Sequence, residues 1–210
     1  MKVFAVAYDN NNQTHGDYFE KSKDDIIAYI KEHHVDSPIH EIHSDDLSLE
    51  YINELIPNIN ASGFCFLAYS HGRIDGLIKE ESYYISIGDN VHLFKNAFFY
   101  SMSCYTAEKF GKDLINNYKG TVFIGFKDKA KALTGVYSAL SIDCDNYGFK
   151  MFLNGNKASE AYQMMRNKIS ESIDFLDSME QPIWAGLLGM NLTYLEFYGN
   201  PNLTIEHIIN

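Results

Sequence analysis

Cysteine is scarce in this chain, and its scarcity excludes a whole class of protein. The 210 residues contain three cysteines, Cys65, Cys104 and Cys144. A small, odd number of cysteines does not form the paired disulfide framework of small secreted proteins. We therefore expect free thiols in a reducing compartment. The prediction that follows is a cytoplasmic protein.

Long apolar runs are also missing. No stretch approaches the roughly 18 to 20 apolar residues that a membrane-spanning helix needs. The apolar run after Met1 is too short for a signal peptide. We therefore expect neither insertion into a membrane nor secretion.

Positive charge is in deficit, because 17 Lys and Arg residues stand against 28 Asp and Glu residues, a formal net charge of −11. Phosphate backbones and anionic lipid surfaces repel such a chain, which argues against nucleic acid and membranes as main partners. A GxxxxGK[ST] phosphate-binding loop is also absent from the sequence.

The chain does have the apolar and aromatic content of a globular protein, 46% and 14%, so disorder is not expected. Its length is at the upper end of what one domain spans. No internal repeat, low-complexity linker or break in composition divides it. Residues 1–210 are therefore predicted to form a single domain.

The apolar residues fall into short segments that predict an α/β fold. Four of these segments lack strict alternation, which is typical of strands buried on both faces of a parallel sheet. Segments with helical spacing lie between them, which indicates helices packed around a mostly parallel central sheet. The predicted strands are 3–8, 39–42, 64–69, 97–101, 121–126 and 195–198; the predicted helices are 24–33, 49–56, one directly after residue 104, and 158–176.

Two of the predicted strands end on residues that carry chemistry. His71 follows the strand 64–69, and Cys104 follows the strand 97–101. The carboxyl ends of neighbouring parallel strands face one cleft, so we expect the imidazole and the thiol to meet there. A thiol nucleophile beside a histidine that moves protons suits acyl transfer. Gly72 allows close approach of the backbone, so its N–H is predicted to bind an oxyanion.

A helix directly after Cys104, capped by Thr106, is expected to lower the pKa of the thiol. Cys65 lies inside its strand and is predicted to be a core residue. Cys144 has acidic neighbours, which disfavour a thiolate. The sequence identifies no acid to orient the histidine, and a backbone carbonyl is the expected substitute.

Other kinds of cysteine site fail on spacing. A phosphatase loop needs an arginine six residues after Cys104, but Phe110 occupies that position. A redox pair needs a second cysteine three residues after Cys104, but Ala107 occupies that position. His40 and His43 suggest a metal, but on a strand they point to opposite faces and no cysteine joins them. We therefore expect neither a metal nor a cofactor.

The order of these strands and of the residues that end them resembles that of a known family. The order of strand, Ser70-His71-Gly72, strand, Ser101-Met102-Ser103-Cys104, helix and strand is similar to that of the caspase-like (clan CD) cysteine peptidases, above all their bacterial CHAT-domain members and the related gingipains. The stretches 149–155 and 197–203 are similar to the CHAT pattern as well. The resemblance spans roughly residues 60 to 205.

The resemblance implies a caspase-like three-layer sandwich and a cysteine endopeptidase that cleaves a protein or peptide partner through a thioester acyl-enzyme. Cys104 is then the nucleophile, His71 the general acid/base and Gly72 an oxyanion donor. It also implies a regulated effector, with an activating partner, in a bacterial defence system. Met102 stands where relatives have a small or acidic residue. The preference for the residue before the scissile bond is therefore open, and a pocket for Arg or Lys is not indicated.

Two other classes of function stay open. One is a catalytically silent caspase-like module used for binding or assembly. The other is an α/β ligand-binding domain in which the placement of His71 and Cys104 is chance. The segment 72–96 is expected to be a solvated loop with a short hairpin at 83–87, or else a segment that lines the cleft.

Overall fold

The computed structural model describes residues 2–60 and 63–208, and within these ranges the chain forms nine strands and six α-helices. The strands are β1 (Phe4–Tyr8), β2 (Ile39–Ile42), β3 (Cys65–Tyr69), β4 (His71–Arg73), β5 (Gly76–Lys79), β6 (Ser82–Ser86), β7 (Phe98–Ser101), β8 (Val122–Phe126) and β9 (Leu195–Gly199). The helices are α1 (Gly16–His33), α2 (Leu49–Ile59), α3 (Phe110–Asn116), α4 (Ser138–Leu153), α5 (Ala158–Ser178) and α6 (Pro182–Tyr194).

Six strands form one central sheet in the order β2-β1-β3-β7-β8-β9. All neighbouring pairs are parallel except β8 and β9, which are antiparallel. The predicted α/β class with a mostly parallel central sheet is confirmed, and every predicted strand of this sheet is present within a residue or two of its expected bounds.

Each face of the central sheet has its own core. Phe4 and Val6 of β1 belong to a core that includes buried residues of α1, α4 and α5. Ala5 and Ala7 of the same strand belong to a second core, with buried residues of α2 and α3. Successive side chains of a strand point to opposite faces, and here both faces are buried. This explains why the strands read as continuous apolar runs.

The segment after β3 is not the solvated loop that the sequence suggests. It forms a second, antiparallel sheet in the order β4-β5-β6. Leu77, Tyr84 and Ile85 of this small sheet are fully buried against the central sheet. The hairpin predicted at 83–87 is wrong in its bounds, because residues 83–86 lie in the single strand β6 and the hairpin is formed by β5 and β6. His71 is the first residue of the small sheet.

Sequence analysis did not predict the helices α4 and α6, and it placed the start of α1 too late. Helix α6 is apolar around most of its circumference (PIWAGLLGMNLTY), so no amphipathic stripe identifies it. Helix α4 buries nine of its sixteen residues, polar ones among them. Helix α1 begins at Gly16 rather than residue 24, and Asn12 Oδ1 accepts hydrogen bonds from the backbone N–H groups of Thr14 and His15 just before it.

None of the helices within residues 2–60 and 63–208 is both long enough and apolar enough to cross a membrane.

Candidate active site

A cavity of about 560 Å³ opens at the carboxyl ends of β3 and β7, and His71, Gly72 and Cys104 all line it. The register of the two strands explains why the histidine and cysteine segments lie side by side. Ala68 of β3 pairs with Ser101 of β7, and His71 and Cys104 each come three residues after that pair. All three residues predicted from the sequence are thus brought to one site.

The chain at Gly72 packs directly on the chain at Cys104. A Cβ atom added to Gly72 would lie 2.4 Å from the carbonyl oxygen of Cys104, 2.7 Å from Thr106 Cγ2 and 3.0 Å from Ser103 Cβ. Atoms this close to a Cβ are not tolerated, so position 72 needs a residue without a side chain for reasons of space. The histidine and cysteine segments are therefore in backbone contact.

The predicted helix directly after Cys104 is wrong. Helix α3 begins only at Phe110, and Thr106 does not cap it. The backbone N–H of Tyr105 donates to the Asp128 carbonyl and that of Ala107 to the Phe126 carbonyl. Because these donors bond to the chain around the end of β8, residues 104–109 form turns and do not provide the helix N-terminus that was expected to lower the pKa of the thiol.

The thiol of Cys104 is partly buried, and its Sγ atom lies 4.0 Å from the carbonyl oxygen of Ala130. Burial raises the pKa of Cys104, although Lys129 and Lys131 act in the opposite direction. The resting thiol is therefore protonated at neutral pH, and a base has to remove its proton before it can attack.

Cys65 and Cys144 are both buried, 1% exposed each. Burial raises the pKa of Cys65 far above the ordinary range and that of Cys144 to about 12. Neither thiol lines the cavity. Of the three cysteines, Cys104 is the one that a substrate can reach.

Aromatic contacts hold the His71 ring. The ring centroids of His15 and Phe19 lie 5.5 Å and 5.6 Å from that of His71, and both rings are nearly perpendicular to it. Edge-to-face contacts at this distance are favourable. In the part of the chain that the structure describes, the His71 side chain makes no hydrogen bond to a carboxylate or carbonyl, so packing orients the imidazole.

His15 is a site residue that sequence analysis missed. It precedes α1 and lines the cavity beside His71. Its Nδ1 atom is buried without a hydrogen-bond partner. Burial lowers the pKa of His15, and so do the nearby His71 and Lys129, so a neutral imidazole stands beside His71. No spacing pattern links residues 15 and 71, because the packing of α1 brings them together.

Asp145 is the second residue that sequence analysis missed, since it was considered there only as a neighbour of Cys144. Its side chain lines the same cavity but is 7% exposed. Tyr18 donates a 2.6 Å hydrogen bond to Asp145 Oδ2. Burial raises the pKa of Asp145 to about 7, and the bond from Tyr18 opposes this rise.

Changing Asp145 to Asn is expected to stabilise the protein at and above about pH 7 and to have little effect below about pH 4. The unfolded carboxyl has a pKa of about 3.9 and the folded one a pKa of about 7. Between these values the folded state binds more protons than the unfolded state, so wild-type stability falls as pH rises. Asn escapes this penalty, which amounts to a few kcal/mol at most, and its oxygen still accepts from Tyr18.

The measurement is the free energy of unfolding in urea over about pH 4 to 8.5, for wild type and Asp145→Asn. Asp143→Asn is the matched control, because Asp143 lies on the same helix but is partly exposed and paired with Lys168 at 2.7 Å. A stability difference that does not change with pH would contradict the buried, ionising carboxyl.

Asn191 fixes one wall of the cavity. Its side chain, 2% exposed, accepts from the Lys131 N–H and donates to the Lys131 carbonyl, both at 2.8 Å. This pair of hydrogen bonds to the backbone of one residue holds the segment 129–132, which lines the cavity, against α6. The wall that faces the thiol is thus a fixed surface.

No family model matches this chain, and no curated protein matches it either.

Proposed function

We propose that this chain is a cysteine endopeptidase that uses Cys104 and His71 as a catalytic dyad. One observation carries the proposal. A thiol and an imidazole that follow the ends of two neighbouring parallel strands, β7 and β3, line one cavity, and the backbone beside the imidazole packs on the backbone of the cysteine. Nucleophile and base then face the same scissile bond, which is what acyl transfer requires.

The mechanism follows from the protonation state of the thiol. His71 takes the proton from Cys104 Sγ as the sulfur attacks the carbonyl carbon of the scissile peptide bond. The carbonyl oxygen becomes an oxyanion, which accepts a hydrogen bond from the backbone N–H of Gly72. The C–N bond then breaks, His71 gives its proton to the leaving amine, and a thioester to Cys104 remains.

Hydrolysis of the thioester reverses the roles. His71 removes a proton from a water molecule, and the resulting hydroxide attacks the thioester carbonyl. The C–S bond breaks, the sulfur recovers the proton from His71, and the carboxylic acid product leaves. The neutral His15 beside His71 suits this cycle, because a second positive charge there would disfavour the imidazolium intermediate.

The caspase-like three-layer sandwich belongs to the same proposal. It is supported by two separate cores, one on each face of the central sheet, and by the order of the His and Cys segments along the chain. A regulated effector acting on a specific protein partner is the role that the resemblance implies. Arg73 of β4 and the turn residues Glu80 and Glu81 between β5 and β6 line the cavity, where a bound partner would alter its shape.

The alternative is a catalytically silent module that binds a partner through the same cavity. Two observations favour it: burial raises the pKa of the Cys104 thiol, and among the described residues no carboxylate accepts a hydrogen bond from the His71 ring, which is held by aromatic contacts. The two functions differ in one property, which is whether His71 activates the thiol.

Alkylation of Cys104 by a peptidyl chloromethyl ketone at neutral pH is expected to slow by roughly 100-fold in a His71→Ala variant, because loss of a general base typically costs 10²- to 10⁴-fold. The measurement is the labelling rate of intact protein by mass spectrometry. His92→Ala is the control, because His92 is an exposed residue outside the lining of the cavity. Equal rates in wild type and His71→Ala would favour the silent module.

A further inference from the structure

One corner of the molecule, outside the cavity, exposes a group of large apolar side chains. Within the described ranges seven large apolar side chains are exposed, and four of them come from three segments that meet here. These four, each between 51% and 89% exposed, form what we call the α5–α6 corner: Phe175 and Met179 at the end of α5, Ile183 at the start of α6, and Val136 just before α4. Single exposed apolar residues are common, but a group of them marks an interaction site.

Hydrogen bonds and ring packing bring these three segments together. The backbone N–H of Gln181 donates to the Leu176 carbonyl at 2.9 Å, so α6 starts directly at the end of α5. The ring centroid of Tyr137 lies 5.9 Å from that of Trp184, which places the segment with Val136 beside the start of α6. The α5–α6 corner is therefore a surface of packed elements and not the tip of a free loop.

The same corner carries acids without bases. Four exposed acids, which we call the acid row, follow one another at intervals of three residues along and just past the end of α5: Glu171, Asp174, Asp177 and Glu180. Within the described residues none of the four forms a salt bridge. Lys168 precedes them but is paired with Asp143 at 2.7 Å, and residues 169–210 contain no Lys or Arg. The negative charge of the corner is thus uncompensated.

The acid row opposes folding. The last turn of a helix has a partial negative charge, which favours cations and disfavours anions. Like charges three residues apart on a helix also repel each other. The last turn of α5 contains no basic residue that would offset either effect. Local choices that cost stability are characteristic of functional surfaces, and here they indicate binding of a cationic partner.

We propose that the α5–α6 corner binds a basic amphipathic helix of a partner protein. Its apolar face lies on Phe175 and Ile183, and its Lys or Arg side chains lie on the acid row. Glu171 and Asp177 are about 9 Å apart along the axis of α5, and a helix presents a side chain to one face at each turn of about 5.4 Å. Basic residues one or two turns apart on the partner therefore reach the row, as in other complexes of amphipathic helices.

Charge decides between this occupant and two others. A second copy of this chain carries the same acid row, so two α5–α6 corners repel each other. An anionic lipid surface has the same sign of charge and is repelled as well. The proposal does not depend on the peptidase chemistry, because no residue of the corner lines the cavity.

Two labelled peptides of identical composition test the surface. Each consists of about 14 leucine and lysine residues, and only in the first do the leucines fall on one face of a helix. We expect the first peptide to bind wild type at least about 10-fold more tightly, because only this peptide places its leucines on the apolar side chains and its lysines on the acid row together. Kd values come from fluorescence anisotropy.

Substitutions in the protein locate the binding. The double variant Phe175→Ser and Ile183→Ser is expected to weaken binding of the amphipathic peptide by about 10-fold or more, because a few apolar anchors carry most of the energy of an interface. The double variant Asp174→Asn and Asp177→Asn is expected to weaken it by about 5-fold. Cys104→Ala is expected to bind the peptide as wild type does, so that failure of the peptidase proposal is distinguishable from failure of this one.

Matched controls come from the end of α1, where exposed residues of the same kinds lie. Val35→Ser removes an exposed apolar side chain, and the double variant Glu32→Gln and Asp36→Asn removes two exposed acids. Both are expected to keep Kd within about twofold of wild type. The second control removes as many charges as the change in the acid row, so it accounts for attraction of the peptide to the net charge of −11.

Three outcomes would overturn the proposal. The first is equal binding of the two peptides, or controls that weaken binding as much as the corner variants do. The second is a dimer in sedimentation velocity that dissociates in Phe175→Ser with Ile183→Ser, since a second copy would then cover the corner. The third concerns stability: Asp174→Asn with Asp177→Asn is expected to raise the unfolding temperature by about 2 to 4 °C, and a fall would mean that the acids support the fold.

Discussion

Replacing Cys104 by Ala is expected to lower kcat/KM for peptide cleavage by at least about a thousandfold. Removing the nucleophile of a catalytic unit typically costs several orders of magnitude, because covalent attack on the scissile carbonyl is then impossible. The substitution is expected to leave the fold intact, since the side chain is only partly buried and its one side-chain hydrogen bond within the described residues is a weak one to the Ala130 carbonyl.

The matched control is Cys65→Ala. Cys65 is a buried residue of β3 whose thiol lies in the core, so the change creates a small cavity and lowers stability by about 1 kcal/mol. Activity per folded molecule is expected to stay at the wild-type level. Thermal unfolding of both variants distinguishes a lost nucleophile from a lost fold.

The double variant gives the sharper result. If Cys104 and His71 act as one unit, His71→Ala combined with Cys104→Ala is expected to cost no more than Cys104→Ala alone. Independent contributions would instead multiply. Cleavage that persists in Cys104→Ala at the wild-type rate would end the peptidase proposal, and multiplying losses would end the dyad.

The parts of the site that could be predicted from the sequence are those that follow strands. The apolar runs that became β3 and β7 are local, and parallel strands that pair in register bring their carboxyl ends together. The placement of His71 and Cys104 needed nothing more. Gly72 could be singled out for the same reason, although its tight contact with the Cys104 carbonyl is a property of the packed structure.

The parts that could not be predicted depend on helices that cross the molecule. His15 stands before α1, and Asp145 lies on α4, which buries polar residues as well as apolar ones. Their distance from the thiol is decided by how these helices pack on the sheet, and no spacing along the chain reports it. The prediction of a helix directly after Cys104 was wrong for a related reason. The backbone N–H groups of Tyr105 and Ala107 donate to carbonyl groups around the end of β8, and the local sequence does not report these contacts.

Gly72→Ala is expected to lower kcat/KM by about 100-fold or more while the protein still folds. The added Cβ atom would lie 2.4 Å from the Cys104 carbonyl oxygen, so the histidine and cysteine segments have to move apart. A displacement of about 1 Å between reacting groups costs roughly 100-fold in rate. The same strain is expected to lower the free energy of unfolding by about 1 to 3 kcal/mol.

Gly186→Ala isolates this contact from the general effect of replacing glycine. Gly186 is exposed in α6, and a Cβ atom there would meet nothing within 4 Å. Alanine at such a helical position stabilises by up to about 1 kcal/mol, so this variant is expected to be more stable and fully active. Peptide kinetics below the unfolding temperature of both variants, with urea unfolding beside them, separate the two effects. A methyl group at position 72 cannot be accommodated unless one of the two segments moves. Full activity in Gly72→Ala would therefore mean that contact between these segments does not set the geometry of the dyad.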